Sequence, residues 1–204
     1  MTDMPTEIPL QWLLLGGVLV LLLAAWAIYR RLRRLPRLQQ VLTEIAYDRI
    51  DGLLIPNGDE GEIQIDHLLL TSQGLLILDV KDVVGKVFGS DKMQEWTVIS
   101  ADRRYTFPNP QAALYDRIAA VRQIVRQVPV AGRLLFLDSA EFTKGVPGLV
   151  TNLDALAADF GEPNKAAARV KIEAFEPHWD LIRRQALPDD RPRRDRRSGS
   201  RSPR

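Results

Sequence analysis

Three charged residues border two apolar runs of the chain. Asp66 precedes the apolar run Leu68–Leu70. Asp79 and Lys81 follow the apolar run Leu75–Leu78. Charged groups are costly to place among such residues unless they are paired. Two carboxylates can hold Mg²⁺ while leaving several positions to water, and a lysine can stabilise charge that develops on a phosphoryl group. The set predicts metal-assisted phosphodiester hydrolysis; one Asp–Lys ion pair at a sheet edge is the structural alternative.

A β-hairpin is needed to bring these groups together. Ile63–Thr71 and Leu75–Lys81 have the composition of strands, and Gly74 between them can adopt the positive φ of a tight turn. Residues two apart on a strand share a face. Antiparallel pairing across this turn therefore places the aspartate of the first strand near that of the second, on the same side as the lysine. His67 faces the other way, so we expect it to pack or to form a hydrogen bond.

The remaining chain predicts a mixed α/β domain with one central mixed sheet flanked by helices. Apolar residues have helical spacing in Leu38–Tyr47, Pro110–Val128, Leu153–Phe160 and Pro177–Gln185. Strands are expected in Gly85–Gly89, Glu95–Ser100, Tyr105–Phe107, Arg133–Asp138 and Val170–Ala174. Gly52–Pro56 is a short apolar run that ends at a proline and precedes a segment rich in turn residues. Trp96 is expected to pack in the core.

The beginning of the chain has the composition of a membrane anchor. Residues 12–29 carry no charge, and at helical rise they span about 27 Å, close to the thickness of a bilayer core. A cleaved signal peptide is the alternative, but its positive charge would precede the apolar stretch. Here five arginines follow it, in residues 30–37. We therefore predict one transmembrane helix at 10–29 in the cell inner membrane, with residues 1–9 outside and the rest cytoplasmic.

Charge divides the remainder of the chain into three parts. The predicted juxtamembrane helix, residues 30–47, carries the cluster Arg30–Arg37, which we expect to contact anionic lipid. The predicted domain, residues 48–187, is acidic: residues 38–187 hold 16 Lys and Arg against 21 Asp and Glu. The tail, residues 188–204, is basic, nearly free of apolar residues and predicted to be disordered.

An acidic domain argues against DNA binding through a generally basic face. A local basic groove stays open among the arginines at 117, 122, 126 and 133, although the first three lie on a predicted amphipathic helix and are read as a solvated face. The chain has no cysteine, so a thiolate metal site and a disulfide framework are both excluded.

The stretch Glu62–Gly89 resembles the NERD (nuclease-related) domain. The residues that follow the family's order are Gln64, Ile65, Asp66, His67, Gly74, Asp79, Lys81, Gly85, Gly89 and Trp96. Asp79 stands where the family's E-x-K motif usually has glutamate. A following Asn-Pro-Gln is matched by Asn109, Pro110 and Gln111. The resemblance runs from about Leu53 to about Phe160.

The resemblance implies a PD-(D/E)xK nuclease-like fold, a bound Mg²⁺ or Mn²⁺ and cleavage of DNA. It implies that Asp66 and Asp79 are metal ligands, with the backbone carbonyl of Val80 completing the shell, and that Lys81 is the catalytic lysine. Gln64 would be an auxiliary polar group. The family's usual opening glutamates are replaced here by the Arg-rich run and Leu38–Tyr47, in which Glu44 is the one acid and a further candidate ligand.

Two functional hypotheses follow from these residues. The first is a membrane-anchored, Mg²⁺-dependent deoxyribonuclease. The second is a non-catalytic module that binds nucleic acid or protein on the same fold, which the acidic domain and the replaced opening motif favour. A more distant alternative is a lipid-sensing adaptor that uses the two Arg-rich segments.

Overall fold

The computed structural model describes residues 19, 22, 37–56, 61–162, 164–185, 187 and 188. Two compact units divide the chain, residues 1–43 and residues 44–204. In the described part, no helix is both long and apolar enough to cross a bilayer. The predicted anchor at 10–29 lies outside the described residues except for positions 19 and 22, which are helical. The predicted tail lies outside them beyond residue 188.

Four helices and ten strands make up the described part of the chain. The helices are α1 (residues 37–45), α2 (Pro110–Ile124), α3 (Leu153–Phe160) and α4 (Lys165–Gln185). The strands are β1 (Asp48–Pro56), β2 (Glu62–Thr71), β3 (Gly74–Lys81), β4 (Gly85–Phe88), β5 (Glu95–Ile99), β6 (Arg104–Pro108), β7 (Val130–Phe136), β8 (Ala140–Phe142), β9 (Val150–Thr151) and β10 (Leu187–Pro188).

The larger sheet has six strands in the order β10-β1-β2-β3-β7-β9. Neighbours from β10 to β3 are antiparallel, whereas β7 runs parallel to β3 and to β9. The predicted mixed sheet is therefore confirmed. Because β3 is parallel to β7, the connection between them must cross over, and α2 lies on that crossover. Both strands consequently end at the same edge of the sheet.

A second sheet corrects the expectation of one central sheet. Its order is β6-β5-β4-β8, with β4 parallel to β8. Trp96 of β5 is fully buried against this sheet, as predicted. Its ring lies 6.0–6.2 Å from the rings of Phe107, Phe136 and Phe142. A Cβ on Gly89 would lie 2.5 Å from that indole, which explains the glycine. Phe136 ends β7, so this aromatic cluster joins the two sheets.

Helix α2 packs closely against β7. A Cβ on Gly132 would meet the side chains of Ile118 and Leu114 at 2.7 and 2.9 Å, so glycine permits the approach. The Asn-Pro-Gln motif forms the start of this helix. The Asn109 carboxamide oxygen accepts a hydrogen bond from the Gln111 amide, and its nitrogen donates to the Met93 carbonyl at 2.8 Å. The motif therefore caps α2 and ties it to the loop before β5.

The strand predicted at Val170–Ala174 is wrong. That segment lies inside α4, a single helix of 21 residues that continues through Pro177. The helix is amphipathic: buried or half-buried apolar residues recur every three or four positions, at Ala168, Ile172, Phe175, Trp179 and Ile182. A proline inside a helix breaks one backbone hydrogen bond, and here the burial of this stripe outweighs that cost.

Candidate functional site

The hairpin β2–β3 has the predicted turn and register. Thr71 pairs with Gly74 across two turn residues, and His67 pairs with Leu78 further along. Gly74 has φ 118°, and a Cβ there would lie 2.3 Å from the carbonyl oxygen of Pro129; glycine is required on both counts. The ladder ends at the pair of His67 with Leu78, and Asp66 and Asp79 are the next residues beyond it on the two strands.

Asp79 and Lys81 form a close ion pair at the carboxyl end of β3. The Lys81 ammonium lies 2.8 Å from each oxygen of the Asp79 carboxylate. The aspartate side chain is 5% exposed and the lysine side chain 24%. Such a buried carboxylate needs partners to offset its lost hydration. The lysine is one of them, and it keeps part of its surface open to solvent.

Arg117 of α2 is a second cation at Asp79. Its position in the sequence did not predict this contact. Its NH1 atom lies 3.5 Å from Asp79 Oδ2, and its Nε donates to the backbone carbonyl of Gln64 at 2.7 Å. The side chain is 20% exposed, so its assignment to a solvated helix face is wrong. The cause is tertiary: α2 lies over the same sheet face as Asp79 and turns this arginine inward. Arg122 of the same helix and Arg126, which lies beyond the end of the helix at Ile124, are exposed as predicted, although the Arg122 guanidinium also donates to the Val130 carbonyl at 2.9 Å.

The Arg117 guanidinium is only partly satisfied. Its NH1 atom is buried and has no hydrogen-bond partner, because 3.5 Å to a carboxylate is an ion-pair distance and too long for a good hydrogen bond. A buried donor without an acceptor is unfavourable. The NH1 atom is therefore an unsatisfied hydrogen-bond donor within the site.

A cleft of about 500 Å³ opens between the start of β2 and α2. It adjoins the charged cluster, because Gln64 and Arg117 line it. The full lining is Ile63, Gln64, Ala113, Asp116, Arg117, Ala119, Ala120 and Gln123. Small alanines on α2 leave the space, while amide, carboxylate and guanidinium groups give it hydrogen-bonding capacity.

His67 lies on the opposite face of the sheet from the cluster, as predicted. Its Nδ1 is 2.6 Å from Oδ1 of Asp51, the residue directly across from it on β1. Asp51 also contacts Arg49 at 3.3 Å. This polar group holds β1 to β2 and takes no part in the arrangement around Asp79.

Two further metal ligands were predicted, the backbone carbonyl of Val80 and the side chain of Glu44. Val80 is paired with Leu135 in the parallel ladder. Glu44 is exposed in the last turn of α1. Among the described residues, no group of three or more His, Cys, Asp or Glu is placed to hold a metal ion. A cation at Asp66 and Asp79 would therefore take most of its ligands from water or substrate.

The chain matches a known protein family. The family model described as nuclease-related domain, NERD, matches residues 26–137, more than half of the 204 residues. The chain belongs to the NERD family. The matched segment ends one residue after β7, so it contains the whole β2–β3 hairpin and Arg117.

One curated relative of this NERD protein is an uncharacterized protein of Bacillus anthracis. The two are 30% identical over 64 residues, which is 31% of this chain and 30% of the relative. The chain thus matches less than a third of that protein. No solved structure matches significantly.

Proposed function

We propose that this NERD protein is a metal-dependent nuclease that hydrolyses DNA phosphodiesters at the cytoplasmic face of a membrane. One observation carries the proposal. A buried aspartate at the end of a central strand is paired with a lysine two residues on, beside a cleft, and a second aspartate lies one residue beyond the last pair of the hairpin. Membership of a nuclease-related family supports the same chemistry.

The donor set suits Mg²⁺ or Mn²⁺. Asp66 and Asp79 would hold the ion, with the Val80 carbonyl and Glu44 as further candidates. Carboxylate oxygens are the ligands that Mg²⁺ prefers, and Mg²⁺ commonly keeps several waters around one or two carboxylates. When bound, the ion would supply Lewis acidity to a phosphoryl oxygen.

The roles of the side chains follow from their positions. The Lys81 side chain is partly exposed, so its ammonium could turn from the Asp79 carboxylate to a phosphoryl oxygen or to the attacking water, which would stabilise the developing negative charge. Gln64 is exposed beside the cleft, where its amide could orient a water or a phosphate. Water would attack the phosphorus in line, and the P–O bond to the leaving oxygen would break.

Cleavage assays on the full chain test this proposal. Labelled DNA, and RNA in parallel, is incubated with the purified protein and Mg²⁺ or Mn²⁺. Wild type should cut DNA and lose activity in excess chelator, and Lys81→Ala should cut it much more slowly under the same conditions. Products that form equally with wild type and Lys81→Ala would come from a contaminant and would sink the proposal.

A second function is favoured by the ion pairs themselves. Lys81 and Arg117 together neutralise Asp79, which is how a purely structural network would look. The alternative is therefore a non-catalytic module that binds nucleic acid or protein. Calorimetric titration with Mn²⁺ separates the two: binding that is lost in Asp66→Ala supports the nuclease, and wild-type affinity in that variant supports the module.

The membrane attachment rests on the sequence of the first 37 residues. The uncharged stretch would span the bilayer, and Arg30–Arg37 would lie at its cytoplasmic surface against anionic lipid. Protease treatment of intact spheroplasts and of inverted vesicles tests the orientation. A domain that is cleaved in spheroplasts but protected in inverted vesicles would contradict it.

A further inference from the structure

Arg117 occupies a position that links the charged cluster to the cleft. Its Nε bond to the Gln64 carbonyl fixes the guanidinium, whose NH1 faces the Asp79 carboxylate at 3.5 Å. The same residue lines the cleft between β2 and α2. It thus contacts a predicted metal ligand on one side and borders the space for a substrate on the other.

Two cations already lie at the Asp79 carboxylate before any ligand binds. Lys81 and Arg117 are 2.8 and 3.5 Å from its oxygens, and Asp66 lies one residue beyond the last β2–β3 pair. A divalent cation entering here gains the attraction of the carboxylates and meets the repulsion of both cations. Lys81 has a flexible stem that allows it to withdraw, whereas Arg117 is held by its bond to the Gln64 backbone. Arg117 is therefore the group that opposes the metal most persistently.

A phosphate in the cleft would change this balance. Arginine is well suited to phosphate oxygens because its donors form a planar fork. The NH1 donor has no hydrogen-bond acceptor in the free protein, so a phosphate oxygen would supply a partner that the carboxylate does not. A negative charge at this point would also cancel the repulsion between the guanidinium and an incoming cation.

We propose that Arg117 couples cation binding to nucleic-acid binding: it weakens the site for a divalent cation when the cleft is empty, and it pairs with a backbone phosphate when a strand fills the cleft. Metal and nucleic acid then bind with positive cooperativity. This inference rests on the proposed function for its ligands, but it concerns binding and does not require turnover. Arg117 is a ligand-binding residue in this scheme.

Calorimetry on the full chain tests the coupling. Ca²⁺ is the probe cation because it also prefers oxygen ligands, and a 12-nucleotide single-stranded DNA is the probe strand, checked for integrity after each titration. In wild type, Ca²⁺ should bind about tenfold more tightly, or better, with DNA present, as is typical of coupled sites. The DNA should gain the same factor from Ca²⁺, because linkage is reciprocal. Ca²⁺ titrated into DNA alone is subtracted.

The variant Arg117→Gln should separate the two effects. Its affinity for Ca²⁺ alone should rise severalfold, and the gain from DNA should fall below about twofold. Arg122→Gln is the matched control, because it removes the same charge and a comparable bond to a backbone carbonyl, that of Val130 at 2.9 Å, from the same helix; it should couple Ca²⁺ and DNA as wild type does. If Arg117→Gln melts at a lower temperature, Arg117→Met, which keeps the apolar stem, replaces it.

The outcomes are distinguishable from those of the nuclease proposal. Unchanged coupling in the Arg117 variant overturns the inference, as does a wild type that binds Ca²⁺ equally with and without DNA, or never binds it. Strong coupling that Arg117→Gln removes supports the inference even if wild type cuts no DNA, in which case only the catalytic proposal fails.

Discussion

Two aspartates of the same sheet each meet an arginine from a helix, yet their surroundings differ. Asp48 on β1 accepts hydrogen bonds from Trp179 Nε1 at 2.9 Å and from Arg183, and its other oxygen accepts from the Arg49 amide at 2.7 Å. Asp79 has a lysine at 2.8 Å but an arginine at 3.5 Å whose nearest donor has no acceptor. Asp48 is thus bonded by three donors, two of them on α4. Next to Asp79, the unsatisfied group is the buried NH1 donor of Arg117, beside a cleft.

The contrast shows how a structural ion pair can be told from a candidate functional one. Both contain a carboxylate and a guanidinium, so composition does not separate them. The two clusters differ in whether every hydrogen-bond donor has an acceptor and in whether the cluster borders a cleft. Arg117 lines the cleft between β2 and α2, and the Asp48 cluster does not.

The largest difference between the two clusters is expected in catalysis. Asp79→Asn should lower DNA cleavage by about 10²-fold or more, the size seen when one charge-stabilising group of an active site is lost. Asp48→Asn makes the same chemical change at the structural cluster and should leave the specific activity of folded protein near wild type. Initial rates at equal folded concentration measure both. Equal losses would remove the distinction drawn here.

The next difference is expected in stability. Asp79→Ala leaves two partly buried cations without their carboxylate, and we expect it to lower the free energy of unfolding by about 2–4 kcal/mol. Asp48→Ala removes hydrogen bonds at a half-exposed residue, and about 1–2 kcal/mol is expected. Urea denaturation gives both values. Adding Lys81→Met to Asp79→Ala should restore part of the loss; no restoration would mean that packing rather than charge sets the cost.

A smaller effect should come from the indole bond alone. Trp179→Phe keeps a buried ring at 2% exposure and deletes the donor to Asp48, so a loss of about 1 kcal/mol is expected. In combination with Asp48→Ala the two losses should be less than additive. Full additivity would show that the contact contributes nothing to stability.

The smallest effect concerns the exposed ion pair. The Arg183 side chain is 48% exposed, and such pairs contribute about 0.5 kcal/mol. Arg183→Gln should therefore cost about that much at low salt and almost nothing at 1 M NaCl, where screening is strong. A loss that persists at high salt would show that Arg183 stabilises by packing over Trp179, whose ring centroid lies 5.8 Å from its guanidinium.

The hairpin that carries the site could be predicted because its information is local. The turn at Gly74 fixes the register, and the paired residues run up to the positions next to Asp66 and Asp79. The contacts of Arg117 could not be predicted in this way, because they depend on how α2 lies across the sheet. Arg117 is 53 residues from Gln64 in the chain. Burial at every third or fourth residue shows which side of the helix faces inward, but the side chain at 117 is at the margin of that stripe.

The elements that were misread also depend on distant contacts. The second sheet is completed by β8, which pairs with β4 more than fifty residues earlier, and no short pattern specifies that pairing. Pro177 suggested a helix start with a strand before it. The continuous helix becomes evident only when Ile172 and Trp179 are seen to be buried on one side.

The reach of α4 back to β1 has a consequence for the order of folding. Trp179 and Asp48 are 131 residues apart, whereas the β2–β3 hairpin closes over two turn residues. Short loops close at a lower entropic cost than long ones. We therefore expect the hairpin with Asp66 and Asp79 to form early, and α4 to dock late and to open first. Hydrogen exchange should be fast in α4 and slow in β3, so that the chain can loosen at its far end while the strands of the site stay paired.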